Sequence, residues 1–68
     1  MTYRTAIRDQ IVQYSRYAFE EREDCVFIRY YTEPHRDLLH PNMAVVMLGN
    51  IPWNVSINDI YKKGIDNV

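Results

Sequence analysis

An uninterrupted apolar run, Met43–Leu48, constrains the fold of this chain more than any other stretch, and the pair Gly49-Asn50 ends it. The run is too short for a convincing helix, and it is far too short to cross a bilayer, which takes roughly 20 apolar residues. Its length and composition are typical of a strand that is buried on both faces. The remaining elements are therefore expected to cover this strand.

The segments on both sides of the run predict two further strands. Cys25–Thr32 is rich in β-branched and aromatic residues on both of its alternating faces. Gly49-Asn50 is a two-residue hairpin signal, so Ile51–Asn54 is predicted as a short strand paired with the central one. Pro52 lacks a backbone donor, which confines this last strand to an edge of the sheet.

The first third of the chain has the spacing of a helix. Apolar residues recur there at three- and four-residue steps, namely Tyr3, Ile7, Ile11, Tyr14 and Ala18. This spacing predicts a long amphipathic helix over roughly Thr2 to Arg22, with these side chains on the face that packs against the sheet. Val12 and Phe19 lie off that stripe and form a second, narrower apolar patch.

The last segment allows two interpretations. Ser56, followed by Asp59 three residues later, resembles a helix cap, and it predicts a short helix to about Lys63 that Gly64 ends. Alternatively, the strand continues, because apolar residues alternate with polar ones as far as Ile57. We favour the helix, which gives a single small α+β domain over residues 1–68 in the order α-β-β-β-α, with a three-stranded antiparallel sheet.

Charge and cysteine content narrow the classes of function. The formal net charge is −1, so neither a DNA mimic nor a broadly basic nucleic-acid-binding domain is expected. The chain has one cysteine, which excludes a disulfide within it, and no apolar signal segment follows Met1. A cytoplasmic location without a membrane anchor is therefore expected.

Catalytic and metal-binding patterns are weak. His35, Asp37, His40 and Cys25 could only sketch a zinc site, because paired cysteines and a HExxH helix are both missing. Cys25 follows Asp24, whose charge disfavours a thiolate nucleophile. The two glycines form no phosphate-binding loop. We expect no enzymatic activity, no cofactor and no metal.

The apolar strands present more surface than two helices of this size can cover, which points to a partner. Arginine and tyrosine, both favoured at interfaces, are abundant. The residues expected to bind the partner are Arg29, Tyr30, Tyr31, His35, Arg36, His40 and Trp53. The sequence thus predicts a small regulator or inhibitor that binds a target protein or a second copy of itself as a homodimer. The alternative is a small nucleic-acid-binding regulator that uses Arg29, Tyr30 and Tyr31.

Overall fold

The structure, a computed structural model, describes residues 3–16, 21–34 and 40–63. These residues form one sheet of five strands with the spatial order β4-β3-β2-β1-β5, in which every neighbouring pair is antiparallel. The elements in chain order are β1 (Ile11–Tyr14), β2 (Glu23–Tyr31), β3 (Met43–Leu48), β4 (Ile51–Ser56), a 3₁₀ turn (Ile57–Asp59) and β5 (Ile60–Lys62). No helix that the structure describes is long and apolar enough to cross a membrane.

The predicted α+β fold is wrong, because the described part of the chain is nearly all β and holds no α-helix. Where the long N-terminal helix was predicted, Ile11–Tyr14 is a strand that pairs with β2 on one side and β5 on the other. Two side chains of the predicted buried stripe, Ile7 and Ile11, are 69% and 44% exposed, whereas Val12 is fully buried. Hydrogen bonding to strands on both sides, together with the β-branched side chains of Ile11 and Val12, favours a strand here over the helix that the spacing predicted.

The predicted C-terminal helix is also wrong. Ser56 does act as an N-cap, since its hydroxyl accepts a hydrogen bond of 3.2 Å from the Asn58 N–H. The turn that it caps is a single 3₁₀ turn, after which Ile60–Lys62 returns to an extended conformation and pairs with β1. Gly64, predicted to end the helix, lies outside the described residues.

The centre of the chain agrees better with the sequence. The strand Met43–Leu48 is confirmed with the predicted bounds, and β4 is confirmed as an edge strand. Pro52 on β4 pairs with Met47, and its missing N–H is tolerated because the sheet ends there. Burial of the central strand on both faces is wrong, since its residues alternate between buried and half-buried.

The sheet bends strongly, because its two edge strands follow one another in the chain. Five flat strands would separate the edges by about 19 Å. The four residue steps from Ser56 to Ile60 span at most ~14 Å even when extended. The Ser15 N–H donates to the Asp59 carbonyl (3.0 Å), which ties the connection down. The sheet thus curls over its own inner face and provides the cover that the predicted helices were to supply.

The core lies on the inner face of the curled sheet. Every strand contributes to it, and so does the segment before β1. Its buried residues are Ala6, Val12, Cys25, Phe27, Ala44, Val46, Val55, Ile57 and Ile60. Tyr3, Tyr14, Tyr30 and Leu48 pack around this cluster and remain half-exposed.

A bulge in β2 changes which of its side chains face the core. The register with β3 passes from Phe27↔Val46 to Arg29↔Val45, so Ile28 is an extra residue. Alternation over the predicted strand Cys25–Thr32 puts Cys25, Phe27, Arg29 and Tyr31 on one face, and this prediction is wrong beyond Phe27. The side chain that contacts Phe27 is Tyr30, with a ring-centroid distance of 4.6 Å. The Phe27 N–H donates to the Gln10 carbonyl at 2.8 Å, so the N-terminal segment joins the sheet at this bulge.

The predicted hairpin between β3 and β4 is confirmed, and it gives a test of backbone strain. Gly49 has φ +64, and a Cβ at this position would meet nothing within 4 Å. We expect Gly49→Ala to lower the free energy of unfolding by about 1–2 kcal/mol through its φ alone. Among the described residues Asp9 is the one non-glycine with a positive φ, so Asn50→Ala in the same turn is the control with a smaller effect. Urea unfolding compares them; equal losses would contradict the strain argument.

Candidate protein-binding surface

The pleat of β2 separates the three adjacent residues that the sequence predicted to act together, because successive side chains of a strand point to opposite faces. Arg29 and Tyr31 lie on the outer face of the sheet, where the Arg29 guanidinium carbon is 5.1 Å from the centroid of the Tyr31 ring. Tyr30 pairs with the buried Ala44 and faces the core. A surface that uses all three side chains at once is therefore not formed by β2.

Tyr30 fastens the N-terminal segment to the sheet. Its hydroxyl accepts a hydrogen bond from the Ala6 N–H at 3.0 Å and donates one to the Tyr3 carbonyl at 2.8 Å. Burial, as the largest cause, raises the pKa of this phenol above its ordinary value. The hydroxyl thus both accepts and donates a hydrogen bond within the molecule, so the Tyr30 side chain has a structural role in addition to any contact with a partner.

The other predicted residues are dispersed. Trp53 lies on the edge strand β4 opposite the buried Val46, and it is 47% exposed. Its neighbour on that face, Ile51, is 60% exposed, and together they form a small hairpin patch. His40 is exposed ahead of β3, while His35 and Arg36 lie outside the described residues.

A second apolar surface lies on the outer face of the sheet, and none of its five side chains was predicted to bind a partner. We call Ile11, Val26, Met43, Val45 and Met47 the outer-face stripe. Ile11 on β1, Val26 on β2 and Met47 on β3 are paired in register and form one row. Met43 and Val45 extend the row along β3. All five side chains are half-buried or exposed, and no described segment forms a second layer over them.

Polar side chains border the stripe on both sides. Arg29 and Tyr31 pair with Val45 and Met43 from the β2 side. Asn54 and Ser56 pair with the same two residues from the β4 side. The Arg29 guanidinium is exposed, and none of the carboxylates among the described residues forms an ion pair with it. The stripe is therefore a narrow apolar surface with a single unneutralised positive charge at its rim.

The far end of the outer face is polar and already paired. Lys63 forms an ion pair with Asp24, whose carboxylate also accepts a hydrogen bond from the Gln13 side chain at 3.2 Å. These hydrogen bonds hold the pKa of Asp24 below its usual value. The Arg22 guanidinium carbon lies 3.8 Å from the centroid of the Tyr61 ring. Exposed pairs of this kind add little stability, but they leave this end of the face without an open apolar surface.

Cys25 has the surroundings of a core residue. Its side chain is buried on the inner face, and burial, followed by the charges of Asp24 and Glu23, raises the pKa of the thiol to about 11. A buried thiol with this pKa is almost wholly protonated at neutral pH. Over the ranges that the structure describes, no three histidine, cysteine, aspartate or glutamate side chains cluster as metal ligands would.

The outer-face stripe could have been found from its signal in the sequence. Met43, Val45 and Met47 alternate with Ala44 and Val46, so one of the two sets faces outward where only one face of the strand is covered, as it is by the described residues. Its extension to Ile11 depends on strand pairing across 15 residues, which no local pattern records.

The chain matches no family model, no curated protein and no solved structure.

Proposed function

We propose that this protein binds another protein through the outer-face stripe and regulates or inhibits that partner. The supporting observation is that apolar side chains run in register across three strands of the outer face, with no described segment packed over them. A sheet face that meets water usually carries polar residues, because exposed apolar area costs free energy. A surface with this composition is typical of an association site.

The residue types of this surface agree with the proposal. Methionine, tyrosine and arginine are enriched at protein interfaces, and the stripe with its rim holds Met43, Met47, Tyr31 and Arg29. Methionine side chains adapt their shape to a partner. Two of the residues predicted from the sequence to bind a partner, Arg29 and Tyr31, thus belong to this surface, while Trp53 belongs to the hairpin patch on the other face.

A comparison of two lysine variants tests the proposal. Val45→Lys places a charge at the centre of the stripe, and Ile7→Lys makes the same kind of change at an exposed site in the turn before β1. Immobilised wild-type protein and each variant are incubated with a native lysate, and the retained proteins are quantified by mass spectrometry. We expect a protein that wild type and Ile7→Lys retain equally, and that Val45→Lys retains at least tenfold less.

Two results would contradict the proposal. One is equal retention by Val45→Lys and wild type, provided that thermal unfolding shows both to be folded. The other is retention no greater than that of blank resin. A Trp53→Lys variant in the same comparison shows whether the hairpin patch contributes, because Trp53 lies on the opposite face from the stripe.

The nucleic-acid alternative has less support. Tyr30 faces the core, so only Arg29 and Tyr31 of the three proposed residues share the outer face. Two such side chains are a small platform for stacking bases, and the net charge of −1 gives no general attraction to phosphates. A salt-dependent shift of short oligonucleotides that Arg29→Glu abolishes would favour this alternative.

A further inference from the structure

The dimensions and the charge of the outer-face stripe indicate what kind of partner it binds. We infer that the stripe takes a short amphipathic α-helix that carries a carboxylate, and that Arg29 pairs with this carboxylate. The inference rests on the proposed function and specifies the partner for the same surface. Three features support it: the width of the stripe, its length and the unneutralised charge at its rim.

The width fits one helix. The rim residues Arg29 and Asn54 stand on the two strands that flank β3, both paired with Val45. Two strand spacings amount to about 10 Å, and an α-helix with its side chains is about 10–12 Å across. A helix that lies along β3 therefore covers Met43, Val45 and Met47, the part of the stripe on β3, and places its polar flanks beside the polar rim.

The length fits about two helical turns. Met43 and Met47 are four residues apart on β3, which is about 13 Å in an extended chain. About nine residues of a helix cover that distance at 1.5 Å each. Three apolar side chains at positions i, i+4 and i+8 of the partner would then contact Met43, Val45 and Met47 in turn, as in other helices bound in a groove.

The charge at the rim favours a partner that carries a carboxylate. Arg29 has no ion-pair partner among the described residues, and the tyrosine ring beside it does not neutralise it. Burying an unpaired guanidinium under a neutral partner is costly. A helix with Asp or Glu next to its apolar stripe gives Arg29 a charge-assisted, potentially bidentate hydrogen bond. A lysine at the same position would repel it.

A second copy of this chain fits less well. Consider two copies that meet through their outer faces, with the two-fold axis between the sheets at the level of Val45. An axis perpendicular to the strands places Arg29 against Arg29 of the other copy. An axis parallel to the strands places Arg29 against Asn54, because both residues pair with Val45 from opposite sides. Asp24, the acid on the same face, is already held by Lys63 and Gln13.

Selection from a displayed library of random 14-residue peptides tests the inference. Wild type, Arg29→Glu and Lys62→Glu serve as targets. Lys62→Glu makes the same charge change on the inner face, where Lys62 pairs with Val12. We expect wild type and Lys62→Glu to enrich peptides with apolar residues at helical spacing and an excess of Asp or Glu. Arg29→Glu should bind the acidic peptides at least tenfold more weakly and enrich Lys or Arg instead.

The outcomes separate this inference from the proposed function. Enrichment of peptides with a period of two, no charge preference, no enrichment at all, or a charge preference that Arg29→Glu leaves unchanged would overturn the helix inference. Light scattering that shows a dimer which Val45→Lys dissociates would overturn it in favour of a second copy. In each of these cases the proposed function still stands if Val45→Lys loses a target protein that Ile7→Lys keeps.

Discussion

Phe27→Ala is expected to leave most of the chain unfolded at 25 °C. Phe27 is 2% exposed, packs its ring against that of Tyr30 at an angle of 55° and forms backbone hydrogen bonds to Asp9 and Gln10 at the bulge. Truncating a buried phenylalanine to alanine costs about 3–5 kcal/mol. A core of this size supplies about 3–5 kcal/mol of net stability, so the loss equals most or all of the total. The measurement is urea unfolding followed by tryptophan fluorescence of Trp53.

Tyr31→Ala is the matched control for this variant. It removes an aromatic ring from the same strand, but the ring lies half-buried on the outer face, where no described segment packs over it. We expect it to lower the free energy of unfolding by no more than about 1 kcal/mol, as for most surface substitutions. Phe27→Ala that unfolds cooperatively near the wild-type midpoint would contradict the position of the core.

Raising the pH from 9 to 11 is expected to remove a large part of the stability. An unperturbed cysteine thiol, as in the unfolded chain, has a pKa of 9.0, and burial raises the pKa of the Cys25 thiol to about 11 in the folded chain. Between these values the unfolded chain has lost the proton and the folded chain has kept it, so the unfolded state binds fewer protons and stability falls with rising pH. The full difference of two pKa units corresponds to about 2.7 kcal/mol, of which about 2 kcal/mol is lost between pH 9 and pH 11.

The contribution of Cys25 can be isolated by substitution. Cys25→Ala removes the titrating group, so its free energy of unfolding should fall less steeply over the same pH range, even if it is lower at pH 8. The raised pKa of Tyr30 acts in the same direction at higher pH, which makes Tyr30→Phe a second comparison. Equal pH dependence of wild type and Cys25→Ala in urea unfolding would show that the folded state does not shield this thiol.

The sequence was most informative where structure depends on adjacent residues. The run Met43–Leu48, the Gly49-Asn50 turn and the alternation after it describe one hairpin, and each signal lies within about a dozen residues. Pro52 placed that hairpin at an edge for a reason that belongs to proline alone. For these elements local preference and tertiary structure agree, so a local pattern was sufficient.

The ends of the chain depend on contacts that the sequence does not display. Ile11–Tyr14 is a strand because β2 and β5 supply hydrogen bonds on both of its sides, and β5 is some 50 residues away. Tyr3 and Ile7 lie in an irregular segment and Ile11 begins a strand, yet the three residues have the same four-residue spacing as one face of a helix. The physical reason for the error is that strand pairing is non-local, whereas periodicity measures one segment at a time.

The apolar side chains of the strands are covered to different degrees. Phe27 and Val46 are buried by the curled sheet, with no helical layer in the part of the chain that the structure describes. Met47 is half-exposed and Trp53 is 47% exposed, on opposite faces. Two of these four side chains are therefore buried and two are partly uncovered, and the curl of the sheet that decides this depends on strand pairing that no local pattern records.

The extra residue in β2 also determines how this protein can change in length. Deleting Ile28 would remove the bulge and leave every other residue of β2 on its present face, because Phe27, Arg29 and Tyr30 already alternate once the extra residue is left out. A one-residue deletion at this position is therefore expected to keep the core and the outer face intact, whereas a deletion within β3, which pairs with β4 without a bulge, would exchange the two faces for the rest of that strand. During divergence, a single-residue change of length would be tolerated at Ile28 and purged from the middle of β3.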